Sequence, residues 1–238
     1  MATINRNGNT MSIGAMRQYL KDFGSSLDFS SGGIVKFGTG NPFGDTVNGF
    51  YVSMWVKWFG PNSDYQHLMS KRDLYGPTTM MFDLYIDSVT GKLSLDTGNG
   101  QADGGVNLPL ERWCHVLYSH SPSPVLKEQF YVDSVRVSNA PTTGQGTGTT
   151  ALLSIGACEA AAIEPFNGLI DEVVVGVYAP SWKEVVAMNK KFGYKNVYAY
   201  FNFDELSGST AIDLSGNNHT GTITTATYST DVAMKARN

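Results

Sequence analysis

The run from Phe50 to Phe59, FYVSMWVKWF, constrains the fold of this chain more than any other stretch. Successive side chains of a strand point to opposite faces, so Val52, Met54, Val56 and Trp58 fall on one face and Tyr51, Ser53, Trp55, Lys57 and Phe59 on the other. One face is wholly apolar and the other is rich in aromatics. That pattern suits a strand in the middle of a sandwich whose second face is also partly covered. Further strand-like runs lie at 27–29, 34–37, 67–72, 79–86, 92–96, 113–119, 128–133, 135–138, 151–155 and 166–178. Turn residues separate them, and 26 Gly and 9 Pro supply the turns that an all-β chain needs. The expected class is all-β, an antiparallel sandwich in one main domain over residues 25–230.

Two helices are expected beside the strands. In PSWKEVVAMNKKFG, Ser181 is the cap, Glu184 stands at the capping-box offset, Val185, Met188 and Phe192 form a stripe, and Gly193 stops the helix, giving a helix near 181–192. At the front, residues 1–24 read as an arm. A polar start with an Asn7-Gly8 turn is followed by a short helix capped by Ser12, with Ile13, Met16, Tyr19, Leu20 and Phe23 on one side and Gly24 at its end. Such a short helix needs a surface to dock on, either its own domain or a neighbouring subunit. The stretch 141–150 has no period and reads as a surface loop. The chain then returns to strands at 197–203 and 220–228.

Composition excludes several functions. A net charge of −4 offers no basic face for phosphate contacts, so nucleic acid is not an expected partner. No apolar run approaches the roughly 20 residues of a membrane span, so membrane insertion is not expected. The first residues lack the apolar core of a secretory signal. Two cysteines, Cys114 and Cys158, are too few for a disulfide framework, and Cys114 reads as a small buried hydrophobe.

Three stretches resemble the laminin-G-like jelly roll of the concanavalin A-like lectin and glucanase superfamily. They are LDFSSGGIVKFG with FYVSMWVKWF, LPLERWCHVLYS followed by FYVDSVRVS, and FNGLIDEVVVGVYAPSWKEV. Order and spacing match from about 27 to 190. Ser134 stands where the family's hairpin has Gly, which makes a tight turn there less comfortable. A fourth stretch, YFNFDELSGSTAIDLSGNNHTGTI (200–223), is similar to the family's opening segment but follows the body of the domain. Either the segment at 197–228 completes the sandwich, its own or a neighbour's, or it begins a truncated second copy. The resemblance implies a concanavalin A-like jelly roll. At the front, GNTMSIGAMRQYL resembles the leading segment of tailed-phage virion proteins.

Candidate chemistry follows from residue types. A glucanase needs two carboxylates facing one cleft. Asp171 and Glu172 are adjacent, so a regular strand would point them to opposite faces, and no second acid follows at 173–175; an enzyme is not expected. No zinc or phosphate-loop pattern appears. The loop IDLSGNNHTG offers Asp213, Ser215, Asn217 and Asn218 as oxygen ligands for a structural Ca²⁺, or as an Asx-turn without metal. A sugar face needs an aromatic with polar groups around it, and Tyr65, Tyr75 and Phe43 with Asn62, Asp64, Asp73 and Asn41 are the candidates. The expected role is a non-enzymatic virion structural protein, made in the host cytoplasm: a capsid decoration, head-fibre or tail-fibre component. It would form a homo-oligomer, hold other virion subunits through its arm and engage cell-surface glycans. A free carbohydrate-binding module or adhesin domain is the alternative.

Overall fold

A computed structural model describes residues 3–6, 9–12, 24–38, 49–76, 78–98, 100–121, 128–140, 150–158 and 162–233. The expected helix over 13–23 and the loop at 141–149 lie outside the described residues, as do Asn41 and Phe43. Strands β1 (Thr3–Arg6) and β2 (Asn9–Ser12) pair antiparallel with each other. The body continues with β3 (Ser26–Asp28), β4 (Ile34–Phe37), β5 (Phe50–Trp58), β6 (Gln66–Arg72), β7 (Met80–Ile86), β8 (Lys92–Asp96) and β9 (Gln101–Asn107). Next come β10 (Trp113–His120), β11 (Glu128–Val132), β12 (Val135–Ala140), β13 (Leu153–Ile155) and β14 (Gly168–Gly176). The helix α1 (Trp182–Met188) precedes β15 (Val197–Phe201), β16 (Thr210–Ala211), β17 (Gly221–Thr224) and β18 (Thr227–Ser229).

These strands form two antiparallel sheets. The first runs β12-β11-β10-β5-β14-β3-β18, with β15 also on β14; the second runs β16-β17-β4-β13-β6-β7-β8-β9. The architecture is the all-β sandwich expected. The alternation read in residues 50–58 holds. Val52, Met54, Val56 and Trp58 enter the core between the sheets with Phe37, Phe82, Leu84, Val116, Phe130 and Phe201. The opposite face is covered twice. Tyr51 packs with Leu117, Tyr131, Val174, Val185 and Met188, so α1 seals one end. Trp55 packs with Trp113, Leu169 and Ala233, so the C-terminal stretch seals the other.

The segment after the helix completes this same sandwich. Phe201 of β15 pairs with Val173, Ile223 of β17 pairs with Val35, and Tyr228 of β18 pairs with Leu27. The run 220–228, expected as one strand, is two strands in opposite sheets. Thr225, with φ of 69°, makes the corner between them. That corner lies against the matching corner between β3 and β4. A Cβ on Gly33 (φ +126°) would overlap the Ala226 backbone, so only glycine lets the two corners meet.

Three further expectations need correction. The helix ends at Met188, short of residue 192, because Lys191 is left-handed (φ 61°). Phe192 N–H bonds to the Ala187 carbonyl and Lys191 N–H to the Met188 carbonyl, a C-terminal cap that ends the helix before Gly193. Phe192 is consequently 56% exposed and does not join the stripe. Strand β9, QADGGVN, was not expected, because its alternation is carried by Ala102, Gly104 and Val106 rather than by large apolar residues. At the hairpin after β11, Asp133 and Ser134 both take positive φ (49° and 69°), so the turn forms without the family's glycine.

Candidate functional site

The outer face of the second sheet carries the site. Strands β6, β7 and β8 alternate, and the residues that do not enter the core bring polar groups side by side. His67 pairs with Tyr85, Ser70 with Asp83, and Asp83 with Asp96. Around them, Tyr65, Tyr75 and Glu164 come from the neighbouring connections. The result is a pocket of about 270 Å³ lined by Tyr65, His67, Arg72, Tyr75, Asp83, Tyr85, Asp96, Gln101 and Glu164.

The floor is a charge network centred on Asp83, which is buried. Arg72 Nη1 donates to Asp83 Oδ2 at 2.6 Å, Ser70 Oγ donates to Asp83 Oδ1, and His67 Nε2 lies 3.3 Å from Asp83 Oδ2. Burial alone would raise the Asp83 carboxyl, but His67, Arg72 and Ser70 outweigh it and hold it below the ordinary range. Arg72 Nη2 donates to Glu164 Oε2 at 2.9 Å and to Cys158 Sγ at 2.9 Å. Across the pocket, Asp96 accepts from Gly98 N–H at 2.7 Å, Gln101 Nε2 at 2.9 Å and the Tyr75 hydroxyl at 3.1 Å. The Asp96 charge, more than burial, raises the Tyr75 phenol above its ordinary range.

Three tyrosines frame this floor. Tyr85 is buried and stacks on His67 with ring centroids 5.6 Å apart, and Tyr65 meets Tyr85 edge-on at 5.6 Å. Tyr75 is 65% exposed and stands 6.0 Å from the Arg72 guanidinium. The arrangement combines flat apolar faces with fixed donors and acceptors, as a site for a polyhydroxylated ring requires.

The sequence candidates divide around this pocket. Tyr65 and Tyr75 line it. Asn62 and Asp64 are exposed on the adjoining loop, where Asn62 Oδ1 accepts the Asp64 N–H and Asp64 Oδ1 accepts the Tyr65 N–H, so they shape the loop that carries Tyr65. Asp73 faces a neighbouring depression with Lys36 and Ser154. The lining residues missed are His67, Arg72, Asp83, Tyr85, Asp96, Gln101 and Glu164. A charged Asp83 inside the apolar run MMFDLYI was their one sequence signal.

His67, Cys158 and Glu164 place an imidazole nitrogen, a sulfur and a carboxylate oxygen within 4.8 Å of one another, a donor set that a soft divalent metal could use. Here Arg72 Nη2 bonds to both Cys158 and Glu164, and Cys158 Sγ lies 3.2 Å from Glu164 Oε2, so a cation already contacts two of the three donors.

The other oxygen-rich loop is stitched by hydrogen bonds. Asp213 Oδ1 accepts from Tyr200 N–H and Ser215 N–H, and Oδ2 accepts from Ser215 Oγ and His219 N–H. Asn217 Nδ2 donates to the carbonyls of Val197 and Tyr198. Asn218 turns the chain at φ 61°. These donors hold the Asp213 carboxyl below its ordinary range despite the opposing effect of burial. The loop therefore works as an Asx-type staple onto β15, and its carboxylate oxygens face N–H and O–H groups.

The pair Asp171 and Glu172 also departs from expectation. A bulge interrupts β14 between Asp171 and Val174, and Glu172 takes φ of 52°. The bulge turns both carboxylates to the outer face, where Lys191 Nζ lies 2.9 Å from Glu172 Oε1 and 4.0 Å from Asp171 Oδ2. Tyr200 donates to Glu172 Oε2 at 2.5 Å, and Ala233 N–H donates to Asp171 Oδ2 at 3.2 Å. Asp171 is only 3% exposed, and burial pushes its carboxyl up to about 7 despite Lys191. The C-terminal stretch lies over the pair, and the cluster opens onto no described pocket.

A family model described as the concanavalin A-like lectin/glucanases superfamily matches residues 29–186. A candidate carbohydrate-binding protein from Bacteroides ovatus superposes with a TM-score of 0.65 at 17% identity, covering 87% of this chain. The chain spans 59% of that protein's length. The CBM40 domain of a Ruminococcus gnavus sialidase bound to sialyllactose has a TM-score of 0.49 at 16% identity, over 60% of this chain and 83% of that one. A heptameric pentraxin from Limulus polyphemus also has a TM-score of 0.49 at 16% identity, over 81% and 94%. No curated protein matches the chain by sequence.

Proposed function

For a chain that belongs to the concanavalin A-like lectin/glucanase superfamily, we propose that it binds carbohydrate, without cleaving it, in the pocket on the outer face of β6–β9. The observation that carries this reading is the frame of Tyr65, Tyr75 and Tyr85 around a fixed polar floor. The carbohydrate-binding description of the Bacteroides ovatus protein agrees with it. Hydrolysis would need a carboxyl kept protonated near neutral pH beside a second, free carboxylate. Asp83 is instead held ionised by three partners, and Asp171, the carboxyl raised to about 7, lies buried away from the pocket.

Binding is tested on a glycan array and then by titration with the sugars found. Tyr65→Ala and Tyr75→Ala should each weaken binding about tenfold, or about 1.4 kcal/mol. If no sugar binds, or both variants bind as well as the parent, the reading fails.

The finer role is a virion structural protein that displays this module outward. Its support is the resemblance of residues 8–20 to the leading segment of tailed-phage virion proteins. The arm would hold neighbouring subunits and favour a homo-oligomer. Imaging of particles from the native source tests it: symmetric copies on a virion are expected, and a monomer found only off the particle would return the chain to a free carbohydrate-binding module.

A further inference from the structure

We infer that the tyrosine-framed pocket selects uncharged sugars and rejects acidic ones such as sialic or uronic acids. This inference rests on the proposed function and narrows its ligand class. Among the described lining residues, three carboxylates (Asp83, Asp96 and Glu164) face one guanidinium, Arg72. A protonated His67 would still leave the negative charges in excess.

The single guanidinium is committed at both ends. Nη1 bonds to Asp83 at 2.6 Å and Nη2 to Glu164 at 2.9 Å. A ligand carboxylate could reach Arg72 only by competing with two carboxylates already in place. It would also share the pocket with Asp96, which the Tyr75 hydroxyl and Gln101 hold in place. In the lower dielectric of a pocket, like charges repel more strongly than in open water. A sugar hydroxyl meets none of these costs, since it can donate to a carboxylate oxygen and accept from a tyrosine hydroxyl.

Size adds a second constraint. About 270 Å³ lies just below the roughly 300 Å³ at which small-molecule sites begin, which suits one pyranose ring seated against tyrosine faces. The remainder of a longer glycan would project past Tyr75, the most exposed of the three rings.

The test uses matched methyl hexosides and methyl hexuronides of gluco, galacto and manno configuration. Each pair differs only in CH₂OH against carboxylate at C6. Binding is followed on the full chain by NMR shifts of the tyrosine rings, at low and at high salt. At least one neutral member should bind, its uronate should bind at least tenfold more weakly, and added salt should narrow that gap. Glu164→Gln, which removes one pocket charge, should also narrow it.

A uronate that binds as well as its neutral partner would overturn the charge selection while leaving carbohydrate binding in place. If neither member of any pair binds, and the glycan array is blank as well, the binding reading falls and the selection falls with it. Glu164→Gln serves as evidence only if its folded spectrum matches the parent; should it unfold, the salt dependence decides.

Discussion

Replacing Asp171 by Asn should flatten part of the pH dependence of stability. The carboxyl titrates near 7 in the folded chain, against an ordinary 3.8, chiefly because it is buried. Glu172 and Asp204 raise it further, while Lys191 and the Ala233 N–H oppose the rise. An acid whose folded value is raised holds its proton in the native state where the unfolded chain has lost it. Stability from this group is therefore greatest below about pH 4 and falls as pH climbs to about 7. Roughly three units at 1.36 kcal/mol each give about 4 kcal/mol over that window. Urea unfolding of parent and Asp171→Asn at pH 5 and pH 8 measures the effect. Relative to the parent, the variant should gain roughly 2 kcal/mol or more on going from pH 5 to pH 8, even though Asn keeps only one oxygen for the Glu172 and Ala233 N–H groups. Parallel pH profiles for the two proteins would refute the burial argument.

Other outcomes follow from the same structure. Gly156→Ala should cost roughly 3 kcal/mol or more, because φ is +81° and the new Cβ would overlap the Phe29 ring; an unchanged urea midpoint would show that the core relaxes there. Burial pushes the Cys114 thiol up to about 12 and Cys158 higher, so a disulfide reagent at pH 8 should find no reactive thiol in the native chain and two in denaturant. Chelation of Ca²⁺ should shift the melting temperature by no more than about 1 °C, since Asp213 already accepts four protein hydrogen bonds; a loss of several degrees reversed by Ca²⁺ would contradict this, because a native-state ligand stabilises.

Large apolar side chains in regular strands were legible in the sequence. The alternation of residues 51–58 named both faces of β5 correctly, including the cover over Tyr51 and Trp55. Legibility failed where the period breaks. Glu172 at positive φ puts two neighbours on one face, which alternation forbids, and Lys191 ends a helix whose pattern ran on to Phe192. Of the pocket's nine lining residues, two were visible. Tyr65 and Tyr75 stood out as loop aromatics, whereas His67, Asp83 and Asp96 come from three strands whose registers bring them together. Asp83 had no sequence neighbour to mark it, because its partners Arg72 and His67 are separated from it by a whole hairpin.

The pairing of β3 with β18 sets the order in which this protein can mature. Ser26 Oγ bonds to the carbonyl of Asp231, 205 residues later in the chain. Until residues 227–231 leave the ribosome, the outer edge of β3 has no strand beside it, and the same holds for β4 until β17 arrives. Most of the sandwich must therefore wait with two open edges through nearly the whole of synthesis. Pairings of such high sequence separation are slow to close, and open edges recruit other chains. Fast translation should favour the folded protein, whereas a chain truncated near residue 200 would be left with both edges open and primed to aggregate.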